Sequence, residues 1–523
     1  MSDIETIEKL LQDYPFHQYP QTNEHLEGDV RRFLILRDQI LDHIASNISY
    51  IGTIMKMPGK STKTLPSVYP SNRLPEIYQI HNDGSWDIIS HNSTFDLSRD
   101  DQKKLINAVP EEFFNAYFQY QAQPFFDNVH HILTTANSDK TKTICFIVRR
   151  CFFVVKKMAK QLKAMGFTCV LINIEQLTNI EDYKDSFDLI VSDADSYIFV
   201  QKLMDVIKAD VYWVQSMMWD YVLARLVEKK KQDARLVCEF YDITMLYAEK
   251  DNLKTLWPDK LIEADFHYGK FIFDEADLIF ARFDPSIIHE YLGYLPDNYS
   301  EIQPTKCPDV EVIDNHPGFD PANINLVYLG NMIPRNSHHP EALFPLWGMP
   351  EAWEKLLNQG FHLHIYNSPF RSNAEDGMSP IIALANTYKN LHFHEGVPHN
   401  QIIQEIGKYD FGLILSAVNM ETNLNGPLLW KGAVGTKFFT MIESGLPIII
   451  MKEKQAKARF IEKNKMGLSF HTDEHDQIMA TVLKANYDEM RNNVQVFNET
   501  QTFDKYNKEV FAKLNAIFEG ERT

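Results

Sequence analysis

Gly435-Thr436-Lys437-Phe438-Phe439-Thr440-Met441-Ile442-Glu443-Ser444-Gly445-Leu446-Pro447 leads straight into the apolar run Pro447–Met451. The stretch reads as a helix followed by a short buried strand. Thr436 is placed to cap the helix, which puts Lys437 in its first turn. A cation there opposes the helix dipole at a cost of roughly a few tenths of a kcal/mol. An anion at the same N-terminus reverses that cost, because free N–H groups and the ammonium then face it together. The pattern therefore predicts a phosphate beside Lys437. Taken alone, the same residue reads as an ordinary surface lysine.

Outward from this stretch the chain alternates short apolar runs with helical segments. Asn325–Leu329, His362–Tyr366, Leu391–His394, Gly412–Leu415, Pro447–Met451 and Gly467–Phe470 form one series. An earlier series comprises Thr143–Val148, Cys169–Ile174, Leu189–Ser192, Val211–Gln215, Leu236–Phe240 and Asp277–Ala281. Short runs apolar on both faces and separated by helices are the pattern of buried parallel strands. Val154–Met165 reads as a crossover helix, with Gly166 where a left-handed glycine ends it. Pro-containing sequence from Tyr294 to Pro321 separates the series as a linker. The expected organisation is an α/β chain with one Rossmann-like domain at 139–300, a second at 322–500, and a closing helix within 501–523, about Asp504–Phe518. Residues 1–138 lack the alternation. Helix-like stretches at Val30–Ile44 and Arg99–Asn107, a helix start at Val109–Glu112, and Pro-, Ser- and Asn-rich loops at Met57–Pro75 suggest a mainly α region.

In open α/β sheets ligands bind beyond the carboxyl ends of the strands. In the second series those positions hold Gly330 and Asn331 with Arg335 further on, then Asn367, Glu395-Gly396-Val397-Pro398, and Ser416. Small residues and a few polar donors suit a nucleotide better than a purely apolar ligand. In the first series, Arg149-Arg150-Cys151-Phe152-Phe153 follows the opening strand without a glycine, so the dinucleotide fingerprint is absent. Asp193, Asp195, Glu239 and Asp242 lie at or just beyond strand ends and are the candidate bases.

The chain has 523 residues with 44% hydrophobic and 24% charged residues, ordinary for globular domains. Its net charge of −19 disfavours nucleic acid as a partner. The five cysteines, Cys145, Cys151, Cys169, Cys238 and Cys307, are widely spaced and form no CxxC pair, as expected of reduced core residues. The acidic start MSDIETIEKLLQDYPF has no signal-peptide core, and no apolar run approaches the roughly 18–20 residues of a membrane span. These features suggest a cytoplasmic protein. His338-His339 and the alternate His392 and His394 lack the partners of a metal site, so none is expected. Lys156, Lys157, Lys160 and Lys163 share one helix side, which reads as a solvated face and leaves open contact with an anionic membrane surface. Lys229-Lys230-Lys231 reads as a helix end, and Trp213, Met217, Met218 and Trp219 as core or cleft wall.

Five elements resemble, in order, those of the GT-B glycosyltransferases of bacterial surface-polysaccharide pathways. Tyr328-Leu329-Gly330-Asn331 with Arg335 resembles the family's first glycine loop, and Leu391–Pro398 a second loop. Lys408–Leu415 resembles the following strand. Thr436, Lys437 and Gly445-Leu446-Pro447-Ile448-Ile449 match the spacing of N-K-x-x-E-Y-x-x-x-G-x-P-V-I, and Ile461–Leu468 resembles the next stretch. The resemblance implies a GT-B fold and a nucleotide diphosphate sugar as substrate, with no cofactor. Gly330, Asn331, Arg335, Asn367, Val397, Ser416, Thr436 and Lys437 would bind the donor. It also implies an acceptor (glycan, lipid-linked or protein) and, if the enzyme inverts, Asp242 as the base in the first domain. An ordinary turn or N-cap aspartate remains the other reading of Asp242.

The chain departs from the family pattern at two positions. Many retaining members carry an acidic residue three after the lysine and another eight before that one; here these are Thr440 and Gly432. Glu443, one turn further on, reads as a surface residue. The stereochemical outcome is not legible. A non-catalytic module binding a sugar nucleotide or a protein, and a sugar-nucleotide 2-epimerase, are the alternatives. The extra N-terminal region leaves self-association open.

Overall fold

The computed structural model describes residues 75–90, 119–136, 142–330, 349–367, 379–397 and 399–519, apart from short breaks at 82, 178, 195–196, 218–219, 255–258, 312–313 and 419–422. The first sheet contains β1 (Glu76–Ile80) and β2 (Trp86–Ser90), then, after α1 (Gln119–Ala136), β3 (Thr143–Val148). Helix α2 (Phe153–Ala164) crosses to β4 (Thr168–Asn173). There follow β5 (Leu189–Ser192), β6 (Val211–Ser216), β7 (Arg235–Phe240) and β8 (Leu278–Ala281), then α3 (Pro285–Leu292) and β9 (Tyr299–Glu301). The second sheet contains β10 (Asn325–Leu329), β11 (His362–Tyr366), β12 (Leu391–His394), β13 (Phe411–Ile414), β14 (Ile448–Met451) and β15 (Gly467–Phe470). Helices α4 (Pro427–Gly432) and α5 (Thr436–Glu443) lie between β13 and β14, and α6 (Gln455–Lys463) between β14 and β15. Helices α7 (Tyr487–Thr500) and α8 (Lys508–Phe518) follow.

The strand orders are β2-β1-β5-β4-β3-β6-β7-β8-β9 and β12-β11-β10-β13-β14-β15. The second is all parallel, and so is the first from β5 to β9. Both are therefore doubly wound Rossmann-like sheets. Their winding reverses between β3 and β6 and between β10 and β13, and these reversals open the ligand crevices. Burial explains the sequence pattern: every residue of β3, β4, β5, β6, β8 and β14 is buried. Gly166 takes φ +91 just past α2, as its position predicts.

Several elements differ from the sequence reading. Part of the region read as mainly α forms the hairpin β1–β2, which joins the sheet antiparallel to β5. Its turn signal is Asp83-Gly84-Ser85, with Gly84 at φ +79. The expected helices at Val30–Ile44 and Arg99–Asn107 and the start at Val109–Glu112 lie outside the described residues. Strand β9 falls inside the stretch read as linker; at three residues it is too short to show a period. The closing helix is interrupted. Asn507 accepts a hydrogen bond from the Gln303 backbone N–H at 2.8 Å and donates to its carbonyl at 2.9 Å. Helix α8 then packs Val510, Phe511, Leu514 and Ile517 against the first domain.

Two contacts away from the crevice help fix the domains to each other. Lys157 on α2, read as part of a solvated face, is buried instead: its Nζ donates to Glu443 Oε2 at 2.8 Å and to the linker carbonyls of Pro304 at 3.1 Å and Thr305 at 2.8 Å. Glu443, read as a surface residue, is 2% exposed at the end of α5. The other lysines of that row also have partners: Lys160 pairs with Asp309, Lys163 with Asp188, and Lys156 lies over the Tyr183 ring. At the second contact, α4 docks on the first domain. Gly426 N–H donates to Tyr247 O at 2.9 Å, Lys431 pairs with Glu290 at 2.6 Å, and Leu428, Leu429 and Ala433 pack on the first-domain core. A Cβ on Gly432 would stand 2.5 Å from Ile287 Cγ1 of α3, so no carboxylate side chain fits there without moving α3 or α4.

Glu443→Ala strands a buried ammonium and should cost about 3–5 kcal/mol in urea unfolding, with Lys157→Met in the same chain recovering much of it. A single variant as stable as the parent would show that the bridge does not form in solution. Gly432→Ala should cost about 1–3 kcal/mol by overpacking against Ile287. In a double-mutant cycle with Ile287→Ala the two substitutions should couple by about 1 kcal/mol or more; strict additivity would mean that α4 stands off α3.

Candidate functional site

The site forms where the carboxyl ends of both sheets approach. Strand β10 ends at Gly330, whose φ of +119 is disfavoured for side chains. A Cβ there would meet Lys437 Nζ at 3.3 Å, so the glycine lets the ammonium lie against the backbone. Lys437 Nζ donates to Tyr328 Oη at 3.1 Å and sits 4.7 Å from that ring's centre. Helix α5 starts one residue earlier than the sequence suggests. Gly435 is its N-cap and makes no side-chain cap, and Thr436 is the first helical residue. The Thr436 side chain instead faces Tyr241 of the first domain, where it opposes the burial that raises that phenol's pKa. The N-terminal N–H groups of α5 are thus left without a side-chain cap, beside Lys437.

The other donor candidates are spread along the same edge. Asn367, 4% exposed, follows β11, and Val397 packs against the apolar cluster beneath the loops. Ser416 is buried with its Oγ 3.5 Å from Met451 Sδ. Asn331 and Arg335 lie outside the described residues. The structure therefore brings together Gly330, Thr436 and Lys437. Thr440, where the resembling family carries a carboxylate, is buried and bonds back to Thr436 O at 3.2 Å.

The first domain contributes an aromatic and cationic wall. Tyr241, after β7, stacks on Phe152 at 3.9 Å. Arg282, after β8, lies 4.1 Å from the Tyr241 ring centre and donates to Tyr241 O and, across the boundary, to Val434 O at 3.2 Å. Its Nε is buried without a partner among the described residues. Asp242 lies 3.6 Å from Arg282 with its side chain 49% exposed, which leaves the carboxylate reachable. Asp193 is far along the sheet at the end of β5, buried and in the left-handed region at φ +67. Asp195 is outside the described residues. Glu239 is fully buried, accepts from Gln215 and Trp213, and has its pKa pushed up to about 7 by burial. At the winding reversal Arg149 and Asp220 form a buried ion pair.

Two lysines that sequence reasoning missed complete the cluster. Lys454 lies 3.6 Å from the centre of the Trp430 ring. Lys457, on the first turn of α6, is 7% exposed, and its Nζ lies 3.7 Å from where a Gly435 Cβ would be. Burial and then the Lys437 charge push Lys454 down to about 7. Burial, Lys454, Lys437 and Arg282 push Lys457 well below the usual lysine range. Both lysines, and Arg282, follow strand ends, so the rule used for the other loops reaches them. Towards the β12 edge of the second sheet His362, His364, His392 and His394 stack across β11 and β12, with His364 and His394 nitrogens 3.0 Å apart. Among the described residues no group of three or more His, Cys, Asp or Glu is placed to hold a metal, and no helix is long and apolar enough to cross a membrane.

Comparison with known proteins points to the same half of the chain. The family model described as glucosyltransferase 3-like, C-terminal domain, matches residues 370–514. No curated protein matches the chain. Among solved structures, TarM is 8% identical, with 73% of this chain and 99% of that chain covered, at a TM-score of 0.49. A trehalose-6-phosphate protein from E. coli, bound with UDP-2-fluoro glucose, is 9% identical over 71% and 98% of the two chains at 0.47. The lipopolysaccharide outer core galactosyltransferase WaaB is 12% identical over 71% and 99% at 0.42. With two Rossmann-like sheets meeting at their carboxyl ends, this chain has the GT-B fold, and its residues 370–514 are similar to the glucosyltransferase 3-like C-terminal domain.

Proposed function

We propose that the protein transfers a sugar, with glucose the first candidate from the family description, from a nucleotide diphosphate sugar to a glycan, lipid-linked or protein acceptor. The observation that carries this reading is Lys437 lying over Gly330 at the uncapped start of α5. Backbone N–H groups and a fixed ammonium at one point are suited to a diphosphate. As the bond from the anomeric carbon to the diphosphate breaks, its electron pair leaves with the diphosphate. Lys437, the N–H groups and Arg282 stabilise that charge. The acceptor oxygen bonds to the anomeric carbon and its proton passes to a base. In an inverting reaction Asp242 takes it. Protein cations and a helix end can do the work of a metal ion, so the reaction proposed here needs none and uses no cofactor. A cytoplasmic location fits a soluble sugar-nucleotide donor.

A thermal-shift panel of UDP-, GDP-, CMP- and TDP-sugars tests donor binding. The matching donor should raise the melting temperature, and Lys437→Ala should remove most of the rise. If no donor shifts the wild type, the reading fails; if Lys437→Ala responds like wild type, the diphosphate lies elsewhere. With a donor in hand, Asp242→Asn in an inverting enzyme should lower kcat by about 10²–10⁴-fold with donor affinity little changed. An unaltered kcat would remove Asp242 as base. Release of a free epimer would favour the epimerase, and tight binding without turnover a non-catalytic module.

A further inference from the structure

Among the described residues four cations converge on the start of α5, and only one of them has a carboxylate beside it. Arg282 has Asp242 at 3.6 Å. Lys437 has the Tyr328 hydroxyl, and Lys454 the Trp430 ring. Lys457 is 7% exposed and has no hydrogen bond or ion pair among the described residues. Its nitrogen points at Gly435, the N-cap, and glycine leaves the space between them open. A buried ammonium normally costs several kcal/mol unless paired. Here the nearest charges, on Lys454, Lys437 and Arg282, all repel it. Among the described residues no anion offsets that repulsion.

A sugar nucleotide carries about two charges on its diphosphate, while the free nucleoside diphosphate carries roughly three near neutral pH. Lys437 and the α5 N–H groups match the first two. We infer that Lys457 and Lys454, with Arg282 reaching over from the first domain, form an anion subsite beside Lys437 that takes the charge appearing on the diphosphate as it leaves the sugar. The inference rests on the proposed glycosyl transfer. It makes Lys457 a contact that strengthens as the bond breaks, the kind of interaction that raises kcat and not only affinity.

Burial and the neighbouring cations disfavour the protonated form of both lysines in the free protein. A bound anion favours that form, so binding takes up protons from solution. Lys454, pushed down to about 7, binds fewer protons folded than unfolded between that pH and its ordinary value near 10.5. The free protein therefore gains stability as pH rises through this window, and diphosphate affinity falls over the same range.

Calorimetric titration with inorganic pyrophosphate and with the nucleoside diphosphate of the matching donor, in two buffers of different ionisation enthalpy, tests the subsite. Lys457→Met should raise the melting temperature of the free protein, which guards against a folding artefact. It should weaken both diphosphates at least tenfold and abolish most of the proton uptake. The intact donor should weaken only a few-fold, and kcat should fall at least tenfold more than KM changes; Lys454→Met should behave alike but more weakly. Unchanged diphosphate affinity overturns the inference. So does equal weakening of donor and product, which would make Lys457 an ordinary ground-state contact, and so does a wild type that binds neither probe. Pyrophosphate binding that depends on Lys457, with no sugar nucleotide bound, would leave the subsite standing and remove the glycosyl-transfer reading.

Discussion

One nitrogen holds three parts of the chain in register. Lys157 Nζ carries hydrogen bonds from a first-domain helix to the linker carbonyls of Pro304 and Thr305 and to Glu443. Taking this pair out of water costs several kcal/mol per ion, which a carboxylate and two carbonyls at good distances can offset. The geometry reaches beyond stability, because Glu443 ends the helix whose other end carries Thr436 and Lys437. Eight residues of helix span about 12 Å, so a pin at one end sets where the other points. The Lys157 charge also sits at the negative end of that helix dipole, where a cation is favoured. The same dipole meets Lys437 and Lys457 at its positive end, where a cation is disfavoured until an anion arrives.

The site thus opposes the rest of the molecule in sign. The chain carries −19 overall, yet among the described residues the start of α5 gathers four cations beside one half-exposed carboxylate. Surface charge is screened over roughly 8–10 Å in physiological salt, so an anionic donor meets little long-range repulsion once inside the crevice. There the local cations dominate. The low exposure of Lys457 and Arg282 keeps water from screening them, which is why an unmatched charge matters more here than on the acidic surface.

Much of this was readable from residues alone, for identifiable reasons. Strands buried on both faces must be apolar throughout, so β3 and β5 stand out with their bounds intact; β10, β11, β12 and β15, which are only partly buried, keep their bounds because helical segments set them apart. Gly330 and Lys437 were picked out by the strand-end and helix-start rules, and the structure places them side by side. Thr436 misled because a hydroxyl at a helix start suggests a cap, whereas its partner, Tyr241, is 195 residues away in sequence. Lys157 and Glu443 misled for the same reason: in amphipathic helices a charged residue reads as exposed unless its partner is known, and theirs is 286 residues distant. Lys454 caps α6 and Lys457 lies in its first turn, and the sequence reading passed over both. Only the fold shows that the first turn of α6 faces α5. Strand β9 and the β1–β2 hairpin were missed because their pairing is supplied by neighbours in the sheet rather than by their own period.

The two positions at which the chain departs from its resembling family acquire a common physical sense. Gly432 lies where a carboxylate is often found, and its bare backbone lets α4 close on Ile287 of the first domain. Thr440 lies where the second is found, and its hydroxyl is turned back onto α5. Each change removes a negative charge from the neighbourhood of Lys437. Lys454 and Lys457 add positive charge to the same place. All four positions therefore move the site's charge in one direction, so that contact between the domains and attraction for a diphosphate replace the hydroxyl-gripping carboxylates of the family pattern. In the proposed reaction, a crevice built this way would hold its donor by the charge of the leaving group more than by hydroxyl contacts.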